Sequence, residues 1–142
     1  MKQPNIIADL GFDFAIQIIR LCQKLTEKKE FILSKQLLRA GTSIGANVEE
    51  ASAGQSKRDF ISKMAIASKE ARETRYWLRL LDKCELLNID YVPYPDQVEA
   101  IIKVLTKIVK TTQQGPPLQP FSIENLTFNI QLTDPQDFLL LL

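Results

Sequence analysis

Histidine is absent from the 142 residues of this chain, which also carries only two cysteines, one tryptophan and five glycines. Without histidine the chain cannot build a Ser-His-Asp or Cys-His catalytic arrangement, a histidine-ligated zinc site, or the Glu-x-x-His motif of di-iron bundles. No glycine-rich phosphate loop of the GxxxxGK[ST] type occurs either. These absences predict a protein that is not an enzyme and that needs no metal or cofactor.

Cysteine pairs and long apolar runs are also missing. Cys22 and Cys84 are far apart and form no CxxC pair, so we expect both to be reduced and buried. No stretch approaches the 18 apolar residues of a membrane span, and the N-terminus lacks the basic-then-apolar order of a signal peptide. We therefore expect a cytoplasmic protein with no membrane partner.

Charge divides the chain at about residue 115. The net charge of +1 argues neither for nor against nucleic acid, but residues 1–115 hold all 18 lysines and arginines with 14 of the 17 acids. Residues 116–142 hold three acids and no base, and the sequence Gln114-Gly-Pro-Pro117 stops any helix at the boundary. We predict that residues 1–115 form one domain and that residues 116–142 form a C-terminal extension.

Four stretches with helical apolar periodicity fill the first domain. The first covers residues 5–27, and the second begins at Ser34, a plausible N-cap. The third begins at the capping box Ser56-Lys-Arg-Asp59 and runs to about Leu87, and the fourth begins near Pro95. The third stretch has an apolar seam of period 3.5, made by Phe60, Met64, Ala67, Ala71, Thr74, Leu78 and Leu81. Short connections between four such helices predict an all-α, antiparallel up-down-up-down four-helix bundle.

The second stretch is rich in small residues and has Gly41 and Gly45 inside its helical pattern. Because each such glycine lowers helix stability by roughly 1 kcal/mol relative to alanine, it usually serves close backbone contact. We expect the second and third helices to approach each other closely, with Asn47 and Glu50 organising that contact.

The C-terminal extension changes from helical to strand-like spacing. Its large apolar side chains alternate with polar ones at Phe121, Ile123, Leu126, Phe128, Ile130 and Leu132. A lone amphipathic strand is not stable by itself, so three alternatives are open. The extension docks on the protein's own oligomer, binds an external protein partner, or stays disordered, and its apolar content favours the first.

Four glutamates could converge if the second and third helices are antiparallel neighbours, namely Glu49, Glu50, Glu70 and Glu73. Clustered carboxylates of this kind hold Mg²⁺ in all-helical nucleotide pyrophosphatases, but a further glutamate of that pattern is missing here. In the alternative, Glu50 and Asn47 are part-buried and satisfied by the backbone or by Arg72 and Arg75. We favour this structural pairing, because buried acids are seldom left without a partner.

Basic residues follow one side of the third helix at spacings of 3, 4 and 4, namely Arg72, Arg75, Arg79 and Lys83. Three more bases extend this side toward the start of the helix: Lys57, Arg58 and Lys63. Phosphate groups would neutralise such like charges, and Tyr76 and Trp77 would supply stacking surfaces. The alternative is a solvated face with ion pairs between subunits, in which Tyr76 and Trp77 lie in an interface. A single charged face favours this second alternative, whereas a ring of subunits would multiply the positive potential.

Three segments carry a resemblance to a known family, in this order along the chain: Ser43-Ile-Gly-Ala-Asn-Val-Glu-Glu50, Ser56-Lys-Arg-Asp-Phe60 and Ile66-Ala-Ser-Lys-Glu-Ala-Arg-Glu-Thr-Arg-Tyr-Trp-Leu78. They resemble the four-helix bundle proteins encoded in intervening sequences of bacterial 23S ribosomal RNA genes, the S23 ribosomal family. The resemblance extends more loosely over residues 5–113. It implies a bundle that assembles into a five-fold ring, hence a homopentamer. A relative of that family, the accessory protein of diversity-generating retroelements, is similar in fold and binds nucleic acid.

We therefore expect a non-enzymatic, homo-oligomeric helical scaffold associated with RNA, DNA or a ribonucleoprotein. One competing hypothesis is a protein-binding assembly factor that acts through residues 116–142. The other is a Mg²⁺-dependent nucleotide phosphohydrolase built on the glutamates.

Overall fold

The computed structural model describes residues 5–115, which form four α-helices: α1 (Ile6–Glu27), α2 (Leu33–Ser52), α3 (Lys57–Cys84) and α4 (Pro93–Gln114). Each helix packs against the next in antiparallel fashion, and a smaller contact between α1 and α4 closes the bundle. The predicted all-α up-down-up-down bundle is confirmed for this part of the chain. The strand predicted for residues 116–142 lies outside the described residues. None of the four helices is both long enough and apolar enough to cross a membrane.

The helix starts follow from local capping, with one difference from prediction. Ser56 caps α3 as expected, since its hydroxyl oxygen accepts the N–H of Asp59 at 3.1 Å. Ser34 does not cap α2, because it lies inside that helix and donates its hydroxyl to the carbonyl oxygen of Glu30 at 2.8 Å. The cap is the carboxylate of Glu30, which accepts the N–H groups of Ile32, Leu33 and Ser34 at 3.2, 2.9 and 2.7 Å.

The core forms where the apolar faces of the four helices meet. All seven residues of the predicted α3 seam are buried, as are Val98 and Leu105 of α4. Cys22 is buried in the same core, whereas Cys84 is exposed, so the prediction that both cysteines are buried is wrong for Cys84. Cys84 is the last residue of α3, where the chain turns away at Glu85 with a left-handed backbone conformation (φ 51°). This turn also ends α3 before the predicted Leu87.

The glycines of α2 make their close contact with α1, not with α3 as predicted. A Cβ atom built on Gly11 would lie 3.1 Å from the Cα of Gly45, and a Cβ on Gly41 would lie 2.8 Å from Cγ2 of Ile18. Gly41 and Gly45 are four residues apart, so they lie on one side of α2, and that side faces α1. The small residues of α2 therefore set its distance from α1.

Candidate nucleic-acid interface

Three of the seven bases predicted to bind nucleic acid are held by contacts within the bundle. Lys57 donates from Nζ to the carbonyl oxygen of Gly115 at 2.8 Å, which ties the start of α3 to the end of α4. Lys63 pairs with Glu50 of α2. Arg75 pairs through Nη1 with Oε2 of Glu99 on α4 at 2.8 Å. These three side chains therefore join helices within the bundle.

The other four predicted bases are exposed and lie along one face of α3. Arg58, Arg72, Arg79 and Lys83 make no ion pair with any of residues 5–115. Lys69, which the sequence reasoning missed, belongs to the same face because it precedes Arg72 by three residues and is also exposed and unpaired. The three-residue spacing from Arg72 is enough to predict from the sequence that Lys69 lies on this face. We call these five residues the α3 row: Arg58, Lys69, Arg72, Arg79 and Lys83.

Helix α4 adds two bases that the sequence alone did not single out. Lys103 and Lys110 follow Glu99 by four and eleven residues, a spacing that keeps them on the side of α4 that Glu99 turns toward α3. Both are exposed and unpaired among the described residues. We call this pair the α4 row, and the two rows together the basic surface. The signal for the α4 row exists only once the Arg75–Glu99 contact is known.

The acids of α3 lie mostly on the opposite side, toward α2. Arg39 of α2 donates to Glu70 at 3.3 Å and also pairs with Glu73. The indole N–H of Trp77 donates to the other Glu73 oxygen at 3.1 Å. The hydrogen bond from Arg39 lowers the pKa of Glu73, burial opposes that shift, and Trp77 adds to it. Three further acids of α3 and α4 are exposed: Asp59 beside Arg58, Asp82 beside Lys83, and Asp96 at the start of α4.

The predicted carboxylate cluster is therefore divided between basic partners. Arg72 and Arg75 are wrong as the expected partners of Glu50, which pairs with Lys63, whereas the expected backbone partner is confirmed for Asn47. Glu70 and Glu73 pair with Arg39. The reason is rotational, because Arg72 and Arg75 face α4 or solvent while the glutamates face α2. Within residues 5–115 no three His, Cys, Asp or Glu side chains are grouped to hold a metal ion.

Of the two residues predicted to organise the contact between α2 and α3, Glu50 bonds across it to Lys63, whereas Asn47 bonds within its own helix. The Asn47 amide donates to the carbonyl oxygen of Ser43 in its own helix at 2.8 Å, and Glu50 is exposed where it meets Lys63. Tyr76 and Trp77 are in edge-to-face contact with ring centroids 5.2 Å apart. Tyr76 is 54% exposed beside the α3 row, whereas Trp77 is half-buried and packs against the core.

Comparison with known proteins agrees with this fold. The sequence pattern of the 23S rRNA-intervening sequence protein family matches residues 3–110. The chain is also similar to a crystal structure from Bacteroides thetaiotaomicron, described as a protein of unknown function from the S23 ribosomal protein family. That similarity has 47% sequence identity and a TM-score of 0.71, and it covers 74% of this chain and 99% of that one. No curated protein is a significant match. The chain therefore belongs to the 23S rRNA-intervening sequence protein family.

Proposed function

We propose that the protein is a non-enzymatic, homo-oligomeric scaffold that binds RNA or DNA through the basic surface. The observation that carries this proposal is the separation of charge across α3. Acids facing α2 are paired by Arg39 and Lys63, while seven exposed bases on α3 and α4 have no ion partner among residues 5–115. Like charges three and four residues apart on a helix repel, so a polyanion that neutralises them gains free energy.

The physical basis of binding is release of counterions from phosphate. Each phosphate that a lysine or arginine neutralises releases condensed cations, which makes the affinity fall steeply as salt rises. A single copy with few bases binds weakly by this route. Several copies in one assembly repeat the basic surface and raise the local potential. The family name refers to an rRNA intervening sequence, which supports testing RNA first.

Self-association is the second part of the proposal. Phe12 and Ile19 are 67% and 42% exposed on one side of α1, and Leu38 of α2 is 38% exposed. Exposed large apolar side chains of this kind mark contact surfaces. We take a second copy of the chain as the occupant, because the resemblance to the intervening-sequence proteins implies a homopentamer. Tyr76 and Trp77 stay predicted interface residues, with Tyr76 as the accessible one.

The test is a titration of fluorescently labelled RNA and DNA of matched sequence with the intact protein. Binding is measured by fluorescence anisotropy at about 50 and about 200 mM salt. Arg72→Glu with Arg79→Glu should lower the affinity by about tenfold or more, and the fall with salt should become shallower. The matched control reverses two exposed bases of α1, Arg20→Glu with Lys24→Glu. Equal loss in both variants would indicate a diffuse charge effect, and no binding by the wild-type protein would overturn the proposal.

A protein partner for residues 116–142 is the second candidate. The alternating apolar side chains of that segment and its three acids without a base favour it. Deletion of residues 116–142 should then leave the anisotropy titration unchanged, since the basic surface lies wholly within α3 and α4.

A further inference from the structure

The basic surface has two rows on adjacent antiparallel helices. The α3 row extends from Arg58 to Lys83, about 37 Å along the helix axis at 1.5 Å per residue. The α4 row, Lys103 and Lys110, runs beside it at a helix separation of about 8–10 Å. The Arg75–Glu99 ion pair lies between the rows and marks the line where the two helices meet. A ligand that covers this surface must therefore present negative charge along two lines.

A surface made for single strands would also offer stacking rings. Single-strand binders track one phosphate backbone and stack successive bases on aromatic side chains. The α3 row has one exposed ring, Tyr76, whose edge-to-face contact is with Trp77. The indole of Trp77 is directed toward α2 by its bond to Glu73. On α4 the aromatic residue is Tyr94, which is buried. Within residues 5–115, the basic surface therefore offers one exposed ring for stacking, that of Tyr76.

We infer that the nucleic acid taken by the basic surface is double-stranded, with the two rows contacting phosphates of both strands; this inference rests on the proposed function. The helix axes are about 8–10 Å apart, a spacing comparable with the B-form groove widths of about 6 and 12 Å. Long lysine and arginine side chains can reach the flanking phosphates from either side. Because phosphate contacts carry no sequence information, binding depends little on sequence.

The experiment compares a duplex with its own single strand at one fixed low salt concentration, using the intact protein. A length of about 20 base pairs exceeds the roughly 11 base pairs that the α3 row spans at 3.4 Å each. Three neutral variants are titrated against both probes: Arg72→Gln with Arg79→Gln in the α3 row, Lys103→Gln with Lys110→Gln in the α4 row, and Arg20→Gln with Lys24→Gln on α1 as the charge-matched control. RNA and DNA duplexes are tested in parallel, and preference for either duplex supports the inference.

The wild-type protein should bind the duplex about tenfold more tightly than the single strand, because two rows are engaged instead of one. The α4-row variant should lose about tenfold for the duplex and almost nothing for the single strand, whereas the α3-row variant should lose affinity for both. Equal or tighter binding of the single strand would overturn the inference and leave the proposed function intact. An α4-row variant with unchanged duplex binding would overturn it too. If the wild-type protein binds neither the duplex nor the single strand, both the inference and the proposed function fail.

Discussion

Gly11 of α1 and Gly45 of α2 meet backbone to backbone. A Cβ atom on Gly11 would lie 3.1 Å from the Cα of Gly45, and a Cβ on Gly45 would lie 3.3 Å from both the carbonyl carbon and the oxygen of Gly11. Neither neighbour is a flexible side chain, so neither can move aside without shifting a helix. The α1–α2 spacing therefore depends on the absence of side chains at both positions.

Replacing Gly45 with leucine should separate α1 from α2. We expect Gly45→Leu to lower the free energy of unfolding by about 1–3 kcal/mol through overpacking, measured by urea denaturation. The control is Ala46→Leu at the exposed neighbouring position, where the same side chain meets solvent. Glycine in an open helix is about 1 kcal/mol less favourable than alanine, so a Gly45→Leu protein more stable than wild type would contradict the backbone contact.

The second prediction concerns the carboxylate of Glu30, which caps α2. Burial opposes ionisation of Glu30, but hydrogen bonds from the N–H groups of Leu33, Ser34 and Ile32 lower its pKa below the usual value. A lowered pKa in the folded state means that this stabilisation is fully present above the unfolded-state pKa and is lost as pH falls through the folded-state pKa. Glu30→Gln should cost about 1 kcal/mol at neutral pH, because the cap loses its charge.

The pH dependence separates this capping role from a packing role. Wild-type stability should fall as the pH drops below about 5, and the stability of the Glu30→Gln protein should fall less, because it has one fewer depressed carboxyl to protonate. Asp13→Asn, at an exposed position of α1, serves as the control and should keep the wild-type slope. Parallel acid-unfolding curves for wild type and Glu30→Gln would refute the assignment.

The sequence predicts the parts of the fold that depend on one helix at a time. The α3 seam, from Phe60 to Leu81, is correct at every position because a 3.5-residue period identifies the buried side without knowledge of the partner. The cap of α2 escaped prediction because Glu30 acts from outside the helix through a turn, whereas Ser34 has the right residue type at the wrong position. The glycines of α2 indicated a close contact but not which neighbour makes it.

The candidate site was predicted less completely for a related reason. Arg72, Arg75 and Arg79 look equivalent along the sequence, yet Arg75 alone meets Glu99, since its partner lies 24 residues away on a helix whose register is set by packing. The sequence does not indicate Arg39 as the partner of Glu70 and Glu73, because that pairing also crosses between helices. Lys103 and Lys110 join the basic surface only through the same α3–α4 register.

The third prediction separates the two cysteines by reactivity. Burial, with a smaller contribution from the charge of Glu30, raises the pKa of Cys22 to about 11, and its thiol donates to the carbonyl oxygen of Ser34 at 3.4 Å. At pH 8 only about one Cys22 thiol in a thousand is then ionised, and thiolate is the reactive form. A thiol-reactive dye at pH 8 should label one cysteine rapidly in the folded protein, the exposed Cys84, and two after denaturation.

Cys84→Ser should abolish the rapid labelling and leave the labelling of the denatured protein at one thiol. Rapid labelling of two thiols in the folded wild-type protein would show that Cys22 is accessible. It would contradict the packing of α1 against α2 around Cys22 and Ser34.

The last prediction tests the proposed contact between copies of the chain. Phe12 and Ile19 are seven residues apart, two turns of α1, so they present one apolar surface. Phe12→Ser with Ile19→Ser should shift the mass measured by sedimentation velocity from an oligomer toward the monomer of 16.2 kDa. Val92→Ser is the control, because Val92 is 75% exposed but lies in the loop between α3 and α4. Tyr76→Ser in parallel tests the interface role predicted for that ring. A wild-type protein that sediments as a monomer at all concentrations would overturn the proposed assembly. The basic surface would then not be repeated, and the higher positive potential expected from several copies would be lost.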